Sequence, residues 1–229
     1  MNIHPDVVPI DNKKDTIDKF SPVPDLTDRV TVLEQTDQIT AIQTILRDRN
    51  ISRNDFIFNA DRLIRFVVEE GLNTLPYTEV DVVTPSGDIY KGLAFEKNNC
   101  GVSIIRSGEA MEKGLRDCCR SIRIGKILIQ TDGETKEANV FYAKFPPAIE
   151  KRRVLLMYPI MGFGRTVMKA IDVLKDHGVL IQNVTLLNLF CTPTALKSIY
   201  SVYPDLNVVT SCIHPIVPLN FGEKYFGTS

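Results

Sequence analysis

The sequence predicts an α/β domain with a mostly parallel central sheet covered by helices on both faces. Three observations point there. Two fully apolar runs, Val154-Leu155-Leu156-Met157-Tyr158 and Val184 to Phe190, read as strands buried on both sides. Amphipathic helical stretches alternate with such runs through the second half of the chain, as strand–helix–strand units do. A glycine-containing loop joins one of these strands to a helix, at the end of the sheet where such folds bind ligands.

In chain order, residues 1–30 are polar, contain Pro5, Pro9, Pro22 and Pro24, and lack periodicity, which predicts a mobile arm ahead of one domain at 31–229. A helix is expected over Asp37 to Arg47, with Ile39, Ile42, Ile45 and Leu46 on one face. A second begins after Ser52, where Ser52 and Asp55 supply a cap and an acidic first turn, and is expected to stop at Gly71. Tyr77 to Thr84 alternates, 85–88 turns, and Ile89 to Phe95 returns as a hairpin. Then follow a strand at Gly101 to Ile105, a helix at Glu109 to Cys119, a strand at Lys126 to Gln130, a polar loop at Asp132 to Ala138 and a strand at Val140 to Lys144. The buried run Val154 to Tyr158 leads to a helix over Thr166 to His177, ended by Gly178. After the run at Val184 to Phe190 come a short helix at Pro193 to Val202 and a last strand at Leu206 to Cys212.

The 229 residues suit one domain with an appended arm, and 44% apolar with 24% charged residues is an ordinary globular balance. A net charge of −1 gives no global field for nucleic acid or anionic lipid. No apolar run reaches the length of a membrane span, and the N-terminus, with Asp6, Asp11 and Asp15, has no secretory pattern. Five cysteines, with Cys118 and Cys119 adjacent, match neither a disulfide framework nor a zinc site. They read as reduced thiols packed as small hydrophobes, in the cytosol or in cytosol and nucleus. His4, His177 and His214 are too scattered for a metal cluster.

The most informative segment is VLLMYPIMGFGRTV, Val154 to Val167. Free amides at a helix N-terminus form an anion site, and Gly162 and Gly164 let backbone approach a phosphate. Thr166 adds a hydroxyl and Arg165 a charge. A Walker loop occurs nowhere, and the dinucleotide fingerprint fails because Val167 takes the place of its third glycine. Taken alone, the loop is equally readable as an ordinary turn and as a phosphate cradle.

The loop has company. Gly101-Val102-Ser103-Ile104-Ile105-Arg106-Ser107-Gly108, Tyr142-Ala143-Lys144-Phe145-Pro146, the 154–167 loop and the terminal Phe226-Gly227-Thr228 stand in the order and spacing of the uracil phosphoribosyltransferase family, which the chain resembles from about residue 35 onward, in particular its animal branch. The resemblance implies a type I phosphoribosyltransferase fold: a central, mostly parallel sheet flanked by helices, a β-hairpin and a small hood over the base. It implies the pyrimidine-salvage reaction of uracil with phosphoribosyl diphosphate (PRPP) to give UMP and pyrophosphate, with Mg²⁺ bound alongside PRPP, GTP as an activator, and a homo-oligomer, dimer or tetramer.

It also implies roles for residues. PRPP is to be held by Arg106, by Thr131, and by the loop from Tyr158 through Pro159, Ile160, Met161, Gly162, Phe163, Gly164 and Arg165 to Thr166, with Asn220 from the C-terminal segment. Uracil is to sit against Ile216, Leu219, Asn220 and Phe221. Arg53, Arg62, Arg123 and Arg152 are candidates for GTP phosphates. Several of these positions depart from the family pattern. Thr131 replaces an arginine, Tyr158 an acidic residue that holds the ribose hydroxyls, Phe163 a threonine, Arg165 a glycine and Asn220 an aspartate, while Leu219 and Phe221 replace small residues and are expected to narrow the base pocket. Each lost electrostatic contact costs about 10²–10³ in rate. Two functions therefore compete: a salvage enzyme, or a catalytically silent homologue that binds a nucleotide or a protein partner.

Overall fold

The computed structural model describes residues 28–131 and 138–228. In order these are β1 (Val30–Val32), α1 (Asp37–Arg47), α2 (Arg53–Asn73), β2 (Tyr77–Val83), β3 (Ile89–Phe95), β4 (Asn99–Ile105), α3 (Ala110–Cys118), β5 (Arg123–Thr131), β6 (Ala138–Lys144), β7 (Arg153–Met157), β8 (Ile160–Met161), α4 (Arg165–Asp176), β9 (Val184–Cys191), α5 (Pro193–Tyr200), β10 (Asn207–Ile213) and α6 (Phe221–Phe226). The arm expected over 1–30 lies outside the described residues up to residue 27. Val30 opens the first strand rather than ending the arm. The loop expected after Gln130 lies, over 132–137, outside the described residues as well.

The main sheet runs β1-β10-β9-β7-β4-β5-β6, with β8 added to β9. Every pairing in it is parallel except β5 with β6. All residues of β9 are buried, and so are the last four of β7, which is why the sequence reads as unbroken apolar runs there. Alternate residues feed two cores. Val154, Leu156 and Leu186 pack with Val167, Ile171 and Leu174 of α4. Leu155, Met157, Leu187 and Leu189 pack with α1, α2, α3 and Phe221 of α6. Helices thus cover both faces, as expected. Hairpin β2–β3 stands apart as a two-stranded antiparallel sheet.

Two local expectations are corrected. Helix α2 does not stop at Gly71 but runs to Asn73. Gly71 is buried in its last turn, where a Cβ would collide with the buried side chain of Leu187, so its smallness serves close packing on β9 and not termination. In α1, Ile39, Ile42 and Leu46 are buried, but Ile45 lies outside the stripe at 37% exposure and Gln43 takes the inner position. The Gln43 amide donates to the Ser211 carbonyl of β10 at 2.9 Å, so a buried polar side chain is tied to the sheet. The caps behave as read: Ser52 accepts from the Asp55 amide, and Gly178 adopts φ +81 just past α4.

Candidate functional site

The loop between β7 and α4 is held from behind. Asn188, fully buried in β9, donates its side-chain amide to the carbonyls of Tyr158 (2.9 Å) and Pro159 (3.2 Å). Its own oxygen accepts from the Thr210 hydroxyl at 3.0 Å. The Leu189 and Phe190 amides also donate to Pro159, the Thr192 amide to the Met161 carbonyl, and the Thr192 hydroxyl to the Gly162 carbonyl at 2.6 Å. With these carbonyls turned onto β9, the front of the loop is left to its amides. Gly164 caps α4 at φ +80, and the Met168 amide is the first to bond back, onto the Gly164 carbonyl at 2.9 Å. The amides of the first helical turn therefore have no helical acceptor and face the loop's open side.

In front of them lies a cavity of about 440 Å³, a size suited to a nucleotide. Its walls are Tyr158 and the loop from Ile160 to Val167, Ser107 from the turn after β4, and Leu219 and Phe221, with Pro159 behind them. Arg165 is the one charged side chain among these described residues, and none of them is a carboxylate. Tyr158 is half-buried and bonds to the Thr166 side chain. Burial pushes its phenol above the ordinary range, an effect that Thr166 partly offsets, so it stands protonated at neutral pH. Phe163 is 70% exposed, its ring turned to solvent instead of filling the cavity.

The turn that carries Ser107 is fixed from below. The Ser103 hydroxyl, fully buried, donates to Glu112 at 2.6 Å, and Lys126 bridges Glu109 and Glu112 at 2.6 and 3.2 Å. The Glu109 hydrogen bond leads the causes that raise the Lys126 pKa. Gly108 sits so close to the Met157 carbonyl that no side chain fits. Arg106 does not line the cavity. Its guanidinium stands over the ring of Phe226, 5.2 Å from the centroid.

The C-terminal helix forms the remaining wall. Phe221 is buried against Phe56, edge to face at 5.3 Å, so it anchors α6 to α2 as well as bounding the cavity. The Tyr225 hydroxyl donates to Asp61 at 2.6 Å, and Arg53 donates to the Tyr225 carbonyl at 3.0 Å. Leu219 borders the cavity at 73% exposure, so it lies at the rim instead of constricting the interior. Ile216 and Asn220 border a different, smaller cleft beside Leu46 and Lys224. Thr131 closes β5; its side chain lies outside the described residues. Of the four effector arginines, Arg53 and Arg62 lie on α2, with Arg62 over the Phe58 ring at 5.7 Å. Arg152 donates to the Pro147 carbonyl at 2.9 Å, and Pro147 shares a basic groove with Arg123, Arg116, Lys126 and Lys144.

Sequence reasoning thus found the loop but missed Ser107 as a wall and Asn188 and Thr192 as its supports. Ser107 was within reach, as the small residue after Arg106. Asn188 also left a trace, as a lone amide inside an otherwise apolar strand.

A parallel sheet with a helix-capping loop at its carboxyl end, a hairpin and a C-terminal wall defines a type I phosphoribosyltransferase. Solved structures agree on the fold. A protein from Aquifex aeolicus titled "AQ2163" superposes with TM-score 0.76 at 18% identity, over 87% of this chain and 99% of that one. Adenine phosphoribosyltransferase from Trypanosoma brucei superposes with TM-score 0.54 at 10% identity, over 85% and 88%. The chain belongs to the uracil phosphoribosyltransferase family, whose model matches residues 32–228. It is 61% identical over 197 residues to a Gallus gallus protein named uracil phosphoribosyltransferase homolog, covering 86% of this chain and 71% of that one. It is 44% identical over 208 residues to uracil phosphoribosyltransferase 1 of Schizosaccharomyces pombe, covering 87% and 95%. The chain spans 64% of the length of the human homologue. Among the described residues, no helix is long and apolar enough to cross a membrane.

Proposed function

We propose that this protein serves pyrimidine salvage by binding a uridine nucleotide at the 158–166 loop, with phosphate recognition retained and UMP synthesis slow or lost. The observation that carries this reading is the loop itself: its carbonyls are engaged by β9, its helix-terminal amides front an open cavity, and Arg165 adds charge. Against turnover stand Arg106, drawn onto Phe226, and a cavity wall with no described carboxylate to accept the ribose hydroxyls. Backbone contacts tolerate the side-chain substitutions; the pyrophosphate and ribose contacts do not.

The test is UMP formation from labelled uracil and PRPP, beside UMP binding by calorimetry. Measurable UMP affinity with product formation at least about 10³-fold below an active family member is the expected result. Turnover at that member's rate would restore the full salvage reaction as the function. That second reading draws on the family match, which spans the loop.

We further propose GTP as an effector at the basic groove beside β5 and β6, where Arg123 and Lys144 meet Tyr142. The reading places the protein in the cytosol and as a homo-oligomer. For the latter, Phe58 and Phe66 on α2 and Val83, Ile89 and Leu93 on the hairpin are exposed apolar side chains that a second copy would cover.

A further inference from the structure

We infer that the cavity takes a nucleoside 5′-monophosphate without a divalent cation, Tyr158 acting as a neutral donor where metal-assisted PRPP chemistry calls for an anionic oxygen. This rests on the reading of the site as a nucleotide cavity. It concerns which phosphate compound enters, and in what company.

The lining is rich in donors and poor in acceptors. Ser107, Thr166 and Tyr158 present hydroxyls, Arg165 a guanidinium, and α4 its first amides. Four of the loop's carbonyls are already engaged: those of Tyr158, Pro159, Met161 and Gly162 receive hydrogen bonds from β9 and the residue after it. Magnesium demands an octahedral set of oxygens and is anchored in protein sites through one or two carboxylates. Among the described residues, this wall supplies none, and Glu109 and Glu112, which follow the turn that carries Ser107, are held by Lys126. A phosphomonoester needs no such anchor. Its charge is met by Arg165 and a helix N-terminus, and its oxygens by fixed donors. PRPP carries three phosphoryl groups, which one guanidinium leaves largely unbalanced.

The experiment is calorimetry on the full chain with UMP and, separately, PRPP, each in magnesium and in EDTA. UMP is expected to bind with a Kd equal within about twofold in the two buffers. PRPP is expected to bind more weakly than UMP and to gain nothing from magnesium. A tightening of either ligand by about tenfold or more in magnesium overturns the inference while leaving the nucleotide reading intact. No UMP binding in either buffer overturns the nucleotide reading itself. Two variants address Tyr158, with folding checked by thermal melting. Tyr158→Asp is expected to create magnesium-dependent PRPP affinity, about tenfold. Tyr158→Phe is expected to weaken UMP severalfold without introducing magnesium dependence. An unchanged UMP affinity in Tyr158→Phe removes the phenol from the role given to it. The wild-type buffer comparison stands whether or not either variant folds.

Discussion

Gly164 shows how much one residue decides. At φ +80 it occupies the left-handed region, which costs an ordinary L-residue about 1–2 kcal/mol. A Cβ there would also meet Ile199 at 3.1 Å and the Ala195 carbonyl at 3.2 Å. Gly164→Ala should therefore lose about 2 kcal/mol in urea unfolding and weaken UMP binding measured by calorimetry, because the strain falls on the helix cap proposed to hold the phosphate. The buried thiols set a second residue-scale expectation. Burial raises Cys100 and Cys191 from 9.0 to about 12. A raised thiol pKa means that the folded state holds its proton more tightly. The associated stability is complete below pH 9.0, and it drains as pH climbs from there to about 12. Urea midpoints should fall across that window, and iodoacetamide at pH 8 should leave Cys100 and Cys191 unmodified in the native protein. The cysteines were legible in sequence as packed hydrophobes. Their individual burial was not, since it depends on which strands lie inside the sheet: Cys100 on β4 and Cys191 on β9 are covered on both faces, whereas Cys118, Cys119 and Cys212 are only half-buried.

At the scale of elements, strand β9 unites core and site. It buries every side chain, pairs with β7, β8 and β10, and directs Asn188 at the back of the loop. Asn188→Ala strands the Tyr158 carbonyl, a buried orphan that costs about 1–3 kcal/mol, and takes from the Thr210 hydroxyl its shortest bond. The variant should unfold at lower urea, and amide exchange in 158–162 should accelerate more than exchange in α2. The long elements were readable because periodicity repeats within them: α1 matches its expected bounds, and β2 and β3 fall within one residue of theirs. Strands β1 and β8 and helix α6 have three, two and six residues, too few for any period to show. The site divided in the same way. The loop between β7 and α4 announces itself through glycines and a helix start, which are local signals. The diversion of Arg106 to Phe226, and the split of Ile216 and Asn220 from Leu219 and Phe221, depend on contacts between residues far apart in sequence.

For the whole molecule, the hairpin is the feature that a solitary chain leaves unexplained. Val83, Ile89 and Leu93 are 76%, 69% and 68% exposed, and the hairpin joins no strand of the main sheet. Its own order comes from the ladder and from the Tyr77–Phe95 ring pair at 4.6 Å. Ile89→Glu with Leu93→Glu should lower the mass seen by light scattering while leaving the melting of the separated subunits nearly unchanged, because neither side chain supports a core. A mass identical to wild type would show that the hairpin is not the contact between copies.

Strand β1 enters the sheet alongside the start of β10, at the amino end of the parallel strands, whereas α6 walls the cavity at the opposite pole. A purification handle or fluorescent fusion placed ahead of residue 28 consequently joins the described fold on the far side from the cavity. One placed after Thr228 would hang from the helix that closes the binding chamber. Immobilising the protein by its N-terminal side therefore keeps the attachment point away from the cavity, which makes that geometry the sensible one for surface-based binding measurements.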